Sequence, residues 1–177
     1  MRYYRGTTIE KFSFDLKSPK IRREKLILVK SEVETREHVV LKLVAYLIFY
    51  DPRLKVEVDA EMHYKPDLMI AGDHTPELWI DCGKVAIRKV ESLADRLRHT
   101  RVVIVKETKR ELEQFKKVVE KKVEHADRIE YLAFEPSFIA SIANALQRGN
   151  EITLYEVMEN VIGLAVNQEV FESALYR

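Results

Sequence analysis

The sequence has little that could staple the fold or bind a structural metal, because its 177 residues include one cysteine, Cys82. One thiol forms no disulfide within the chain and supplies no cysteine-based zinc finger. The five histidines lack the spacing of zinc ligands. No glycine-rich phosphate loop is present either, which argues against P-loop and Rossmann nucleotide binding. Low-complexity stretches and flexible linkers are also absent from the sequence.

Long hydrophobic runs are missing as well. The longest apolar-rich run covers residues 39–50, and Lys42 interrupts it. Crossing a bilayer takes about 20 apolar residues. The N-terminus has no apolar core of the kind that a signal peptide needs. We therefore expect a soluble, cytoplasmic protein without membrane association.

Net charge is only +1, which excludes a globally basic nucleic-acid binder, but the charges are unevenly placed. Residues 31–83 carry five Lys/Arg and eleven Asp/Glu, whereas residues 1–30 and 84–110 each carry nine Lys/Arg and three Asp/Glu. One interpretation is ordinary surface scatter. The other is a carboxylate site whose basic flanks hold phosphates.

Periodicity predicts the elements of the N-terminal half. Period-two alternation over 9–16 and a second strand over 22–29 indicate an opening hairpin. Ser31, with Glu34 three residues later, predicts the N-cap of a helix that reaches about Tyr50. An apolar stripe at helical spacing defines that helix, with one acidic member; it comprises Val33, Glu37, Val40, Leu41, Val44, Leu47 and Ile48.

The rest of the chain alternates strands and helices. Strands are predicted over 54–62, 66–70, 77–82, 102–105 and 129–134, with helices over 86–98, 108–125 and 136–148. Gly149 is the predicted C-cap of the last helix, and a closing hairpin follows over 152–157 and 161–166. The order predicts an α/β (α+β) fold with a mixed central sheet and flanking helices, in which right-handed crossovers join parallel strands. We predict one domain over 1–177, with a core at about 33–134 and terminal β-hairpins at about 8–29 and 151–167.

Two carboxylates stand at the ends of short apolar strands. Asp67 precedes one strand, and Asp81 comes near the end of the next. If these strands pair, both carboxylates reach one edge of the sheet. Paired carboxylates with water are what Mg²⁺ accepts, and a metal so held activates water and stabilises charge on phosphate. The alternative is that both residues are solvated strand ends.

These residues resemble a known family. Residues 64–67 read YKPD and residues 81–84 read DCGK, which is similar to the PD-(D/E)XK nuclease-like superfamily, and within it to the YaeQ family. The order helix, three strands, helix, strand is also similar. Further YaeQ-like features are the early hairpin, the segment that opens the first helix (31–37), the LWID strand before Gly83, and the IRK segment at 87–89.

The resemblance implies a restriction-endonuclease-like core and a metal-dependent nuclease or phosphodiesterase. It implies that Glu37, Asp67 and Asp81 bind Mg²⁺ or Mn²⁺, together with the backbone carbonyl of Cys82. The implied partner is DNA or RNA. Alternatively, Glu37 has a structural role, in which it caps the helix or pairs with an arginine.

The motif expects a lysine at position 83, where this chain has Gly83. Lys84 is one residue too far and within a strand would face the other side. Lys89, on the following helix, is the better substitute for orienting or deprotonating the attacking water. Arg88 is a candidate phosphate clamp. Alternatively, all three basic residues are an ordinary exposed helix start.

Three functions therefore stand open. The first is a Mg²⁺-dependent nuclease in which Asp67, Asp81, Glu37 and Lys89, or Lys84, carry the chemistry. The second is a catalytically inactive module of the same fold that binds nucleic acid or a protein, a reading motivated by Gly83. The third is a different phosphate-handling α/β enzyme in which the carboxylate pair is coincidental.

Overall fold

The computed structural model describes residues 9–60 and 62–177. Its strands are β1 Glu10–Lys17, β2 Glu24–Lys30, β3 Lys55–Val56, β4 Leu68–Ile70, β5 Leu78–Cys82, β6 Arg101–Thr108, β7 Ile129–Phe134, β8 Gly149–Met158, β9 Val161–Val166 and β10 Glu169–Tyr176. Its α-helices are α1 Arg36–Ile48, α2 Ile87–Arg96, α3 Lys109–Lys122 and α4 Phe138–Ala145. The described part is thus a mixed α+β fold.

All ten strands belong to one sheet, in the order β2-β1-β8-β9-β10-β7-β6-β5-β4-β3. Strands β5, β6 and β7 run parallel, as the alternation of strands and helices predicts, while β3, β4 and β5 pair antiparallel. Strand β1 also pairs parallel with β8, a long-range contact that no local pattern indicates. The mixed sheet is therefore confirmed.

Helix α1 lies inside the curve of this sheet. It contacts β2 at one end of the strand order and β5 and β6 towards the other end. The sheet must therefore curl around α1, which explains why nine consecutive residues of the helix, Val39–Leu47, are buried.

The strands near β5 are covered on both faces. Leu78, Ile80 and Cys82 join the core around α1 and α4, whereas Trp79 joins the core under α2 and α3. The continuous β-branched run of β6 divides in the same alternating way between these two cores. Helix α1 packs on one face of the sheet here and helix α2 on the other. The polar residues at the ends of β4 and β5 lie between these two helices.

The structure corrects the predicted start of the first helix. The helix begins at Arg36, with Thr35 as N-cap, and not at Ser31. Ser31 does engage Glu34, since its backbone N–H donates to Glu34 Oε2 at 2.8 Å, but the contact closes a turn that precedes the helix. Val33, assigned to the apolar stripe, is 93% exposed.

Three further predictions are corrected. The strand expected over 54–62 is reduced to β3, because Glu57 has a positive φ of 52°, which breaks extended pairing. Gly149 begins β8, while α4 ends at Ala145. β10 was not predicted, since its exposed Val170 leaves a weak apolar pattern. The predicted hairpin start at Thr8, and Glu61 of the expected strand, lie outside the described residues.

Candidate functional site

Asp67 sits one residue before β4, at the point where β4 meets β5. Its backbone N–H donates to the carbonyl of Ile80 at 3.0 Å, which continues the ladder between the two strands. Its Oδ2 accepts the backbone N–H of Cys82 at 2.7 Å. The Asp67 carboxylate thus binds a backbone N–H of β5 at the position where β4 begins. Asp67 is therefore fixed by backbone on both sides.

Asp81 is almost entirely buried, with 1% of its surface exposed. Its Oδ2 accepts from the indole Nε1 of Trp79 at 3.0 Å, and its Oδ1 accepts from Lys89 Nζ at 2.6 Å. Burial raises the pKa of Asp81; the Lys89 ammonium opposes this effect, and the nearby charge of Asp67 adds to it. The buried carboxylate of Asp81 is thus satisfied by one cation and one N–H donor.

The two carboxylates are supported in the same way. In each, Oδ2 is fixed by an N–H donor, and Oδ1 faces a group on a helix: Lys89 for Asp81, and the His38 ring at 3.3 Å for Asp67. Fixed donors behind a ligating carboxylate are the usual support of metal ligands. Mg²⁺ binds through one or two carboxylates and keeps several waters, so the donor set fits this ion.

Glu37 is not brought into this pair. Within residues 9–60 and 62–177, no three Asp, Glu, His or Cys side chains are grouped closely enough to hold a metal together. Glu37 instead lines a cavity that Gly83 and Lys84 also line. A metal bound at this pair would have two carboxylates and water as ligands, and the carbonyl of Cys82 stays a predicted ligand.

The three basic candidates have different environments. Lys89 lies in the first turn of α2, and its ammonium bridges Asp81 and the carbonyl of Lys65, which it reaches at 2.7 Å. Lys84 and Arg88 are exposed. Lys89 is thus the lysine whose ammonium lies on a candidate metal ligand.

Gly83 explains the departure from the expected motif. Its φ is +73°, a conformation that side chains other than glycine adopt at a cost, and its N–H donates to the carbonyl of Val105 at 2.9 Å. A Cβ at this position would lie 3.0 Å from Nδ1 of His38. The His38 ring therefore occupies the space that a lysine at position 83 would need.

His38 belongs to a charged chain that the sequence interpretation missed. Its Nε2 lies 3.3 Å from Asp67 Oδ1 and 3.4 Å from Glu34 Oε1. Glu34 also accepts from Lys42 at 2.8 Å, and the fully buried Lys42 makes a second ion pair with Glu57. Burial opposes ionisation of Glu34, but its hydrogen bonds from Lys42 and Ser31 outweigh burial and lower its pKa to about 2. The sequence signal was Lys42, the one charge within an apolar run.

Lys106 was missed as well. It follows the buried run of β6, is 7% exposed, and donates from Nζ to the carbonyl of Gly83 at 2.6 Å. Burial lowers its pKa to about 8. A lysine directly after a run of buried β-branched residues was the available signal.

Comparison with known proteins gives a family and a fold. The family model described as YaeQ protein matches residues 10–175. The YaeQ protein from Xanthomonas axonopodis pv. citri is similar in structure, with a TM-score of 0.75, 17% identity and 96% of each chain covered. The YaeQ protein from Pseudomonas syringae gives a TM-score of 0.72 and 18% identity, over 97% of this chain and 95% of that one. At these identities the structural similarity shows the fold. No curated protein matches the chain at a significant level.

No helix in the described ranges is long and apolar enough to cross a membrane.

Proposed function

The chain belongs to the YaeQ family, and from the carboxylate pair of this member we propose that it is a Mg²⁺- or Mn²⁺-dependent phosphodiesterase that cleaves DNA or RNA. The observation that carries the proposal is the contact of 2.6 Å between Lys89 Nζ and Asp81 Oδ1, beside Asp67 on the neighbouring strand. The proposal includes membership of the PD-(D/E)XK nuclease-like superfamily with a restriction-endonuclease-like core, and a cytoplasmic location.

The order of elements supports this placement. Helix α1, strands β3, β4 and β5, helix α2 and strand β6 follow one another, with β5 and β6 parallel. Asp67 precedes the second strand of this set, and Asp81 lies near the end of the third. One carboxylate directly before the second strand and one near the end of the third support the proposed superfamily membership.

Each residue has a role in the proposed reaction. Asp67 and Asp81 would hold the ion, while the N–H of Cys82 and the indole of Trp79 keep one oxygen of each carboxylate in place. The ion, when bound, lowers the pKa of water and neutralises charge that develops on the phosphate. Lys89 is released from Asp81 and orients the attacking water. The water oxygen bonds to phosphorus and gives up a proton to solvent, while the bond from phosphorus to the leaving oxygen breaks and that oxygen takes a proton from solvent.

Exposed cations at the same edge suit the substrate backbone. Lys84 and Arg88 follow Gly83 directly, in the segment where nine Lys/Arg outnumber three Asp/Glu. A guanidinium matches two phosphate oxygens at once, so Arg88 is the proposed phosphate clamp. Glu37 serves as an accessory carboxylate through bound water, since it is not grouped with the pair.

The test is cleavage of labelled single- and double-stranded DNA and RNA with Mg²⁺ or Mn²⁺. We expect Asp81→Asn to abolish turnover and Lys89→Met to reduce it by about 100-fold or more, because lost proton transfer or water positioning costs that much. The Lys84→Met variant should keep more of the cleavage activity than Lys89→Met does. The matched control Asp73→Asn, which changes an exposed turn, should cleave as the unaltered protein does.

Activity that persists in both Asp67→Asn and Asp81→Asn would overturn the assignment. Salt-dependent binding without turnover in any metal would instead favour the non-catalytic binding module, and Gly83 at the lysine position is the observation behind that second candidate.

A further inference from the structure

A cavity of about 920 Å³ opens beside the carboxylate pair, between the N-terminal end of α1 and helix α3. His38 lines it and also contacts Asp67 at 3.3 Å, so the cavity and the pair adjoin. One part of its wall is apolar and comprises Val33, Leu41, Phe115 and Val118. Another part is acidic and comprises Glu34, Glu37, Glu107 and Glu111. Its volume falls within the range of small-molecule sites, about 300–1,000 Å³.

Lys106 lines this cavity and carries an ammonium that is largely buried. Its ammonium donates to the carbonyl of Gly83 and lies 3.8 Å from the centroid of the Phe115 ring. No carboxylate of the described ranges forms an ion pair with it at 4.0 Å or less. A buried ammonium without an anion is costly, and its remaining N–H groups call for an acceptor.

The glutamate carboxylates of the cavity wall can accept hydrogen bonds from a ligand with N–H groups. Burial raises the pKa of Glu107, and the charges of Glu111 and Glu37 raise it further. Glu111 also acts electrostatically on Lys106, so an acidic and a basic group face the same space. A phosphate would be repelled by these carboxylates. The occupant that fits is a flat, uncharged ring with an acceptor beside N–H donors.

We propose that this cavity binds an unpaired guanine base of single-stranded nucleic acid. The guanine carbonyl accepts from Lys106, its ring N–H and amino group donate to Glu107 or Glu111, and its ring lies against the apolar wall at Val118 and the edge of Phe115. Guanine presents a carbonyl next to two N–H donors, which matches a lysine and a glutamate on one edge.

This inference rests on the proposed function, which gives nucleic acid as the substrate. It adds that the bound nucleic acid is single-stranded. In a duplex the pairing edge of guanine is occupied, so the proposal excludes fully paired substrate from this site.

The test is fluorescence anisotropy with labelled 12-nucleotide strands in EDTA, where metal-dependent turnover is absent. A strand with a central guanine should bind at least about fivefold more tightly than the same strand with adenine, and more tightly than its duplex, since one such contact accounts for that factor. Lys106→Met and Phe115→Ala should each remove the guanine preference. Lys117→Met, on the exposed side of α3, is the matched charge control and should keep it.

Circular dichroism of each variant checks that it is folded, and Asp81→Asn should retain the guanine preference although it cannot cleave. Equal binding of guanine and adenine strands, or a preference that survives in Lys106→Met, overturns the inference. Guanine-dependent binding without cleavage by the unaltered protein would uphold the inference and contradict the phosphodiesterase; metal-dependent cleavage without base preference would do the reverse.

Discussion

At the scale of single residues, the site is made of charges held by backbone and by aromatic groups. Asp81 lies in the core with the Trp79 indole on one oxygen and Lys89 on the other, and burial raises its pKa in spite of that lysine. Proteins keep such groups where a cofactor or substrate needs them, because buried charge is weak as a source of stability. The burial of Asp81 therefore supports the chemical role proposed for it.

Gly83 gives a prediction at this scale. Gly83→Ala should lower the free energy of unfolding by roughly 1–2 kcal/mol, because an alanine at φ +73° is strained and its Cβ meets the His38 ring. Urea unfolding measures the change. The control is Gly149→Ala, where the added Cβ makes an ordinary contact of 3.6 Å with Ser13 and should change little. Equal effects of the two substitutions would mean that position 83 is not constrained as described.

At the scale of elements, local patterns indicated most helices and strands but not their pairing. β7 lies where its β-branched and aromatic run predicts it, and β5 and β6 are parallel as expected. The parallel pair of β1 and β8 joins residues more than 130 positions apart, so no local pattern could indicate it. The first helix was placed too early, because Ser31 and Glu34 do interact, but in a turn that the capping pattern alone does not distinguish from a helix start.

The candidate site, too, could be predicted from the sequence only where its residues belong to local motifs. Asp67, Asp81 and Lys89 could be singled out as candidates because motif spacing and helix position are local properties. His38 and Lys106 were missed because their importance comes from contacts with Asp67 and Gly83, which only the folded sheet brings near. Long-range contacts of this kind have no signature in one sequence.

The start of α1 gives a prediction at this scale. The Thr35 hydroxyl accepts the backbone N–H of His38 at 3.2 Å, so Thr35→Ala should destabilise the protein by about 1 kcal/mol. Ser31→Ala should cost less, within about 0.5 kcal/mol, since Ser31 does not cap the helix. Chemical unfolding of both variants checks the order. A larger loss in Ser31→Ala would restore the earlier helix start.

At the scale of the whole molecule, the curled sheet brings distant segments around α1. The helix contacts β2, β5 and β6, and its first turns carry Glu37 and His38 to the cavity that β6 and α3 also line. The acidic stretch 31–83 thus supplies the carboxylates, and the basic stretch 84–110 supplies Lys89, Lys106 and the exposed cations beside them. The fold thus brings the acidic and the basic stretch of the sequence together at the candidate site.

The central claim is that Asp67 and Asp81 together hold a divalent ion, and calorimetric titration with Mn²⁺ tests it most directly. We predict saturable binding by the unaltered protein and by Asp73→Asn, and loss of that binding in Asp67→Asn and in Asp81→Asn, with all variants folded by circular dichroism. Absence of binding by the unaltered protein at millimolar Mn²⁺, or binding retained in both site variants, would contradict the account.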